Sequence, residues 1–331
     1  MVDHQKGRQD LFIAIDLGGT KIGTGLVDST GRIISSDYRV TRATDGQDTV
    51  VAQMIDASST VMNAAGATTA QVSAVGVAAP GPIDVKSGLV TALPNLPGWK
   101  DVPLKHIIEK ELGLPVILEN DAGAAALAEH RFGAGRGTEH MIYVTASTGI
   151  GGGFILNGEL YRGFTGAAGE IGHMTIVPQG PYCGCGNRGC LEALASGSAI
   201  ARAARELVAR GVPTSIADLA QGDPDRISAK LVAEAAARGD VEAKEILDTA
   251  MTYLGVGMAN LVNLLNPELI VIGGGLTKMG ERLFGPVRRT IDRRAFRAAA
   301  QAAKVVPAQL GDDVGVLGAA TVAMLAQNAG P

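Results

Sequence analysis

Aromatic side chains are scarce in this chain: six phenylalanines, five tyrosines and one tryptophan in 331 residues. A core of this size must then be built from Val, Ile, Leu and Ala, as in large α/β proteins. Basic residues do not dominate either. Twenty-nine Lys and Arg stand against 33 Asp and Glu, for a net charge of −4. With no long basic run, the electrostatic footprint of a nucleic-acid binder is missing, and no nucleic acid is expected as a partner. No apolar run approaches the ~18–20 residues that a membrane span requires. The opening stretch Met1 to Asp10 is polar, unlike a signal peptide, so a reducing cytoplasm is the expected location. Two phosphate-binding fingerprints are absent as well. No G-x-x-x-x-G-K-[ST] loop occurs, and Gly151-Gly152-Gly153 is expected between strands instead of opening a helix. The length suggests two domains of about 150 residues each.

Cysteine is nearly absent too, and its distribution is telling. All three thiols fall within Cys183-Gly184-Cys185-Gly186-Asn187-Arg188-Gly189-Cys190, with His173 ten residues upstream. Three thiolates and an imidazole complete a tetrahedral zinc set, and the glycines let the backbone aim all four inward. A disulfide would leave one thiol over. Four protein ligands leave no open position for water or substrate, so the Zn²⁺ is expected to be structural.

Along the chain, Leu11 to Ile15 reads as a strand. It runs through Asp16-Leu17-Gly18-Gly19-Thr20-Lys21 into a second strand, Ile22 to Val27. A further strand is expected from Arg32 to Tyr38, a helix over Thr49 to Ala65, and a buried strand over Val72 to Ala78. Leu93 to Trp99 reads as a loop. A helix from Pro103 and a strand from Pro115 to Glu119 precede an alanine-rich helix, Ala122 to Phe132. Met141 to Ala146 is a strand, Ser147 to Gly153 a glycine turn, and Phe154 to Leu156 the return strand. Both halves thus begin with strand, glycine turn, strand, which marks a weak internal repeat. Helices follow at Gly197–Arg210, Ala229–Ala237 and Glu242–Leu265. A strand then enters Gly273-Gly274-Gly275, and a helix near Val314 to Leu325 closes the chain.

Glycine turns between strands expose backbone N–H groups that can cradle phosphate oxygens. Asp16, at the end of a buried strand, can hold Mg²⁺ through water, with Thr20 and Lys21 adding a hydroxyl and a charge. Each turn alone could be an ordinary hairpin. Two turns and Gly273-Gly274-Gly275 together favour a nucleotide site.

Asp121 follows Asn120 at a helix start, where the positive helix end favours a carboxylate of low basicity. Such a group suits phosphoryl transfer, in which positioning matters more than basicity. Equally, it can be a plain N-cap. Glu170 precedes His173 by three residues and Glu192 follows Cys190 by two, so a metal there would pin both carboxylates near one spot. His173 can face the metal with one ring nitrogen and a bound hydroxyl with the other. Glu192 can also be an ordinary solvated glutamate.

Asp16 to Lys21, Glu119-Asn120-Asp121, Ser147 to Gly153, Gly169-Glu170-Ile171-Gly172-His173 and Cys183 to Glu192 together resemble the ROK family (repressor, open reading frame, kinase). The resemblance runs from Phe12 to Ala323 and includes Leu310 to Gly315. It implies an actin-like (ribonuclease H-like) α/β fold of two domains, with ATP and sugar meeting in the interdomain cleft. The expected small domain spans residues 9–120 with 314–329, and the large one spans 121–313 with its zinc loop over 173–190. The resemblance implies Asp121 as catalytic base and Asn120, Glu170, His173 and Glu192 as sugar ligands, completed by the loops of Gly81 and Asn95. ATP is expected at Asp16, Gly18, Gly19, Thr20 and Lys21, at Thr148 and Gly149, and at Gly273, Gly274 and Gly275. Gly123 stands where relatives more often carry Asn.

The family holds kinases and sugar-responsive repressors. Only fifteen residues precede Asp16, too few for a DNA-binding domain, so a kinase is expected. Glucose is the expected hexose and ATP the donor, as in the glucokinase branch. An N-acetylmannosamine, N-acetylglucosamine or fructose kinase is the alternative within the family, and a non-catalytic sugar-binding regulator the alternative of another class. A homodimer or homotetramer is expected from the resemblance.

Overall fold

The computed structural model describes residues 10–92 and 96–328. They form two compact units, one of residues 10–137, 160–168 and 309–328, the other of residues 138–159 and 169–308.

The first unit is built on β1 (Leu11–Leu17), β2 (Lys21–Asp28), β3 (Ile33–Val40) and β4 (Val72–Ala79). A small three-stranded sheet of β5 (Ile83–Asp84), β6 (Leu89–Ala92) and β7 (Lys100–Val102) precedes β8 (Val116–Asn120). The main sheet has the order β3-β2-β1-β4-β8, with β1, β4 and β8 parallel. β1 and β4 read as continuous apolar runs because both faces of these strands are covered. β3 alternates between half-buried and exposed residues, as an edge strand does. Helices α1 (Gln47–Ala64) and α2 (Leu104–Leu112) bury Met54, Val61 and Ile108 against Ile13, Ile15 and Val77. The C-terminal helix Val314–Asn328 covers the opposite face, beside α3 (Asp121–Phe132).

The second unit repeats this plan. β9 (Met141–Ala146) and β10 (Ile150–Leu156) form a hairpin flanked by β11 (Glu159–Leu160). Five helices follow: α4 (Leu191–Ala195), α5 (Gly197–Ala209), α6 (Ser215–Leu219), α7 (Ala229–Ala237) and α8 (Val241–Leu265). β12 (Leu269–Gly273), α9 (Glu281–Arg294), α10 (Arg297–Ala302) and β13 (Lys304–Pro307) complete it. The sheet order is β11-β10-β9-β12-β13. In both five-stranded sheets the order is therefore third, second, first, fourth, fifth strand, and the repeat expected from the two glycine turns is a repeat of topology.

Two sequence boundaries differ. Helix α3 belongs with the first unit, not with the residues after 120. At its end the fully buried Glu129 accepts hydrogen bonds from Gln309 N and Leu310 N (2.9 and 2.8 Å), which binds α3 to the segment entering the C-terminal helix. The second glycine turn is also shorter than expected, because Gly151, Gly152 and Gly153 pair with Thr145, Val144 and Tyr143 inside β10. At Gly152 a Cβ would lie 2.6 Å from the Ile171 side chain. Close packing on a strand, not turn formation, places that glycine there.

Candidate active site

In the first unit, register aligns the candidate residues along one edge of the sheet. Asp16 pairs with Ala78 and Ala78 with Glu119, so the C-terminal ends of β1, β4 and β8 present Asp16, the loop of Gly81, and Asn120-Asp121 on one side. Open α/β sheets bind their ligands beyond that edge. Gly18, Gly19, Thr20 and Lys21 form the β1–β2 turn, closed by a hydrogen bond from Gly18 N to Lys21 O (3.0 Å). Asn95 lies outside the described residues.

Asp16 is the most perturbed carboxyl of this edge. Burial pushes its pKa up to about 6, against the opposing pull of Lys21. Its carboxylate rests on the first turn of the C-terminal helix, where a Cβ at Gly315 would lie 2.1 Å from Oδ2. Any larger residue there would displace it. Lys21 is itself held, its Nζ lying 4.4 Å from the Tyr38 ring centre while the Tyr38 hydroxyl donates to Asp313 (3.2 Å). Because folding raises the pKa of Asp16, its ionised form costs stability above about pH 6, and that cost vanishes as the group is protonated below it. A fold that keeps a destabilising charge implies a use for it. If Asp16 must be ionised to work with MgATP, kcat/KM for MgATP falls about tenfold per pH unit below about 6. A pH profile of initial rates at saturating sugar measures this, and a flat profile down to pH 5 would separate Asp16 from catalysis.

The ambiguity at 120–121 resolves in favour of Asn120 as the cap. Its Oδ1 accepts from Ala122 N (3.0 Å) and Gly123 N (3.2 Å), and its dihedral angles are extended. Asp121 occupies the first helical position with its side chain exposed and Oδ1 accepting from Ala122 N (2.7 Å). Sequence reasoning assigned no role to Glu119, just before them. It is buried, takes the Arg162 guanidinium on Oε2 (2.7 Å), and accepts from Asn120 N on Oε1 (3.0 Å). Arg162 lies 43 residues away in sequence, so no local pattern announces the pair.

In the second unit, β9 and β12 run parallel with Thr145 opposite Gly273, which sets Ser147-Thr148-Gly149 beside Gly273-Gly274-Gly275. The start of α5 docks on the same turn through hydrogen bonds from Gly197 N to Ser147 O (2.7 Å) and Ser198 N to Thr148 O (3.2 Å). These segments border a cavity of about 890 Å³, whose polar lining includes Thr148, Ser198, Arg205, Lys230, Lys278 and Arg282. Its size suits a nucleoside. Four cations line it against the single carboxylate of Asp225, appropriate to an anionic ligand. Apart from Thr148, the polar lining residues escaped the sequence because they come one or two at a time from α5, α7 and the segments around α9.

Around the cysteines, the ligand atoms of His173, Cys183, Cys185 and Cys190 all lie within 4.8 Å of one another. Cys185 Sγ and Cys190 Sγ are 3.8 Å apart, and Cys183 Sγ is 3.6 Å from His173 Nδ1. A tetrahedral ion with ~2.3 Å bonds to sulfur and ~2.0–2.1 Å bonds to nitrogen requires separations of about 3.8 and 3.6 Å. The donor set therefore fits a metal ion. Burial pushes the Cys190 thiol up to about 12, whereas backbone N–H donation at Asn187 lowers exposed Cys185.

The same histidine faces two ways. While Nδ1 points to the thiols, Nε2 lies 3.9 Å from Glu170 Oε2. Glu192 joins them from α4, and its Oε2 accepts from Ile150 N (2.9 Å) at the start of β10. That approach needs a glycine at 149, where a Cβ would stand 2.5 Å from the same oxygen. Glu192 is thus tied to the Thr148 turn and is not a solvated surface group.

Comparison with known proteins identifies relatives along almost the whole chain. The model of the ROK family matches residues 12–326. A glucokinase of Thermotoga maritima is 39% identical over 311 residues, covering 94% of this chain and 96% of the relative. Among solved structures, a ROK hexokinase from Thermus thermophilus superposes with a TM-score of 0.81 at 37% identity, covering 97% of this chain and all of that one. A ROK family glucokinase from Streptomyces griseus, in complex with glucose and AMPPNP, gives 0.80 at 39% identity, covering 94% and 98%.

Proposed function

The chain belongs to the ROK family, and from that premise we infer that it is a glucokinase with the actin-like two-domain fold of the ROK sugar kinases. It transfers the γ-phosphoryl group of ATP to the 6-hydroxyl of glucose, giving glucose 6-phosphate and ADP. The transfer step rests on Asp121, placed by β8 at the start of α3. The cap of α3 is supplied by Asn120, and the Asp121 carboxylate is exposed in the first helical turn, with Oδ1 accepting from Ala122 N. It accepts the proton of the sugar hydroxyl as the hydroxyl oxygen attacks phosphorus. Buried Glu119, paired with the exposed Arg162, holds the backbone that carries it.

Asn120, Glu170, His173 and Glu192 hold the sugar hydroxyls, with the loops of Gly81 and Asn95 alongside. Glu170 and Glu192 are carboxylate acceptors, matching a substrate rich in O–H donors, and His173, with Nδ1 toward the thiols, donates from Nε2. The nucleoside occupies the cavity beside Thr148 and Gly275, with its phosphates toward the turns at 147–149 and 273–275. Gly18, Gly19, Thr20 and Lys21 cradle the transferred phosphoryl group. Asp16 would hold Mg²⁺ through water; the ion would neutralise phosphate charge. Zinc is the metal we assign to His173, Cys183, Cys185 and Cys190, since a closed set of three thiolates and one imidazole suits it. It is structural, and through His173 it fixes the ring that meets the sugar. Among the described residues no helix is long and apolar enough to cross a membrane. We place the enzyme in the cytoplasm, acting as a homo-oligomer and without a nucleic-acid partner.

The test is ADP release with MgATP over glucose, mannose, fructose, N-acetylglucosamine and N-acetylmannosamine at equal concentration. Glucose is expected to give the highest kcat/KM. A preference for an acetamido sugar would keep the phosphoryl-transfer chemistry and overturn the substrate. No turnover with any sugar, from folded and metal-loaded protein, would favour the sugar-binding regulator.

A further inference from the structure

Glu129 is a fully buried carboxylate outside the groups assigned to sugar, phosphate or metal. It stands in the last turn of α3, where burial and the negative end of the helix dipole both oppose a carboxylate. Capping does not explain its presence. The end of α3 is closed by the main-chain carbonyl of residue 129, which accepts from Gly133 N (3.0 Å) and Gly135 N (2.9 Å). The side chain points elsewhere. Its Oε1 accepts from Gln309 N and Leu310 N (2.9 and 2.8 Å), 180 and 181 residues away, and its Oε2 accepts from Ala134 N (2.8 Å).

Just beyond Leu310 lies the seat of Asp16. A 3₁₀ turn, Gly311–Asp313, leads into the C-terminal helix, and Gly315 in the first turn of that helix lies against the Asp16 carboxylate. Asp313 accepts from the Tyr38 hydroxyl, and the Tyr38 ring carries Lys21 Nζ. The backbone that Glu129 holds is therefore continuous with the backbone that bears on both Asp16 and Lys21. The C-terminal helix and α3 run antiparallel, since Leu310 meets Glu129 while Gly318 meets Ala124. A Cβ at Gly318 would lie 2.8 Å from Ala124 O, so the two backbones touch there. The pair thus has a fulcrum at 124 and 318 and a tie at 129 and 309–310. Without the tie the helix can tilt about the fulcrum, and a misplacement of about 1 Å at a reacting group can lower a rate about 10²-fold.

We propose that Glu129 is a positioning residue for phosphoryl transfer, tying the entry of the C-terminal helix to α3 so that Gly315 stays seated on Asp16. It touches neither sugar nor nucleotide and acts through Asp16. The inference deepens the glucokinase reading and rests on it. The residue type follows from the donors that converge. Three N–H groups reach the side chain from two segments, so acceptors are required on both of its oxygens; Gln offers one acceptor oxygen and Leu none.

Two variants of the full-length, metal-loaded enzyme break the tie in different ways. Glu129→Gln keeps the shape, but its NH₂ group must face either Ala134 N or the N–H pair of 309–310. Gly133→Ala keeps the carboxylate and displaces it, because a Cβ there would overlap Glu129 Oε2. Each is expected to lower kcat/KM for MgATP by about tenfold or more, while glucose affinity without nucleotide stays within about twofold. Hydrogen exchange is expected to quicken over residues 309–316 and to stay unchanged over β1 and β4. On an Asp16→Asn background either substitution is expected to lower the remaining activity by no more than about twofold, since the group it acts through is gone. Unchanged kcat/KM for MgATP in folded variants, a parallel loss of glucose affinity, or full additivity with Asp16→Asn would each overturn the proposal. So would failure of both variants to fold, which would make Glu129 a requirement of the fold alone. Wild-type turnover on glucose is measured first. Its absence defeats the kinase reading, whereas an active wild type with indifferent variants defeats only this inference.

Discussion

Asp121→Asn is expected to lower kcat by about 10²–10⁴-fold while glucose affinity stays within about tenfold. The size of the effect follows from what the substitution removes. An amide keeps the shape of the carboxylate and its acceptor oxygen for Ala122 N, but it cannot take a proton from an attacking hydroxyl. Nor should the fold suffer, because the cap of α3 is made by Asn120. Stability is therefore expected to change by no more than about 1 kcal/mol, since the isosteric amide keeps the bond to Ala122 N. Steady-state kinetics, glucose titration calorimetry and thermal melts on one preparation test all three statements. Substantial turnover in the variant would transfer the role of base to another carboxylate, with Glu170 the first to examine. A joint loss of turnover and glucose affinity would make Asp121 a sugar ligand before anything else.

Cys185→Ser should have the second largest effect. Apparent zinc-binding free energies near ~10–16 kcal/mol in small motifs show how much depends on a complete donor set. Cys185 is the informative choice because it is exposed, whereas Cys190 is buried and its removal would confuse metal loss with a packing defect. The variant is expected to bind zinc at least about 100-fold more weakly. A metal bound there would hold His173 through Nδ1, so its loss is expected to loosen the ring that faces Glu170 through Nε2. Glucose affinity should then fall about tenfold or more, with kcat changed less, since the imidazole orients the substrate without handling the proton. Zinc content by elemental analysis and glucose binding by calorimetry are the two readouts. Zinc-free protein with undiminished glucose affinity would reduce the knuckle to a local staple.

How much of this was legible follows from the range of each interaction. The metal cluster was, because three of its ligands lie within eight positions and a fourth is ten residues away. The two hairpins were too, since strand, glycine turn, strand is a local pattern. Their shared strand order, third-second-first-fourth-fifth, extends that pattern over whole units. Gly151 to Gly153 misled because glycine marks both a turn and a close approach. Only the presence of Ile171 over Gly152 decides between them. At 120–121 two good capping residues stand side by side, and sequence could not say which one bends back over the helix end.

By itself, then, the sequence determined the chemistry available: a carboxylate after β8, a cluster of three thiols and an imidazole, carboxylates near it in sequence, and glycine turns between strands. These are statements about residue types at short spacing, which covalent geometry enforces. Tertiary structure alone decided which groups share a surroundings. It set Gly315 against Asp16, raising the value of a carboxyl that composition leaves ordinary. It joined Arg162 to Glu119, tied Glu192 to the backbone of Ile150, and gathered Ser198, Lys230 and Arg282 around one cavity. The physical reason is common to all of these. Burial and contact between distant segments are properties of packing, and no window of sequence contains both partners.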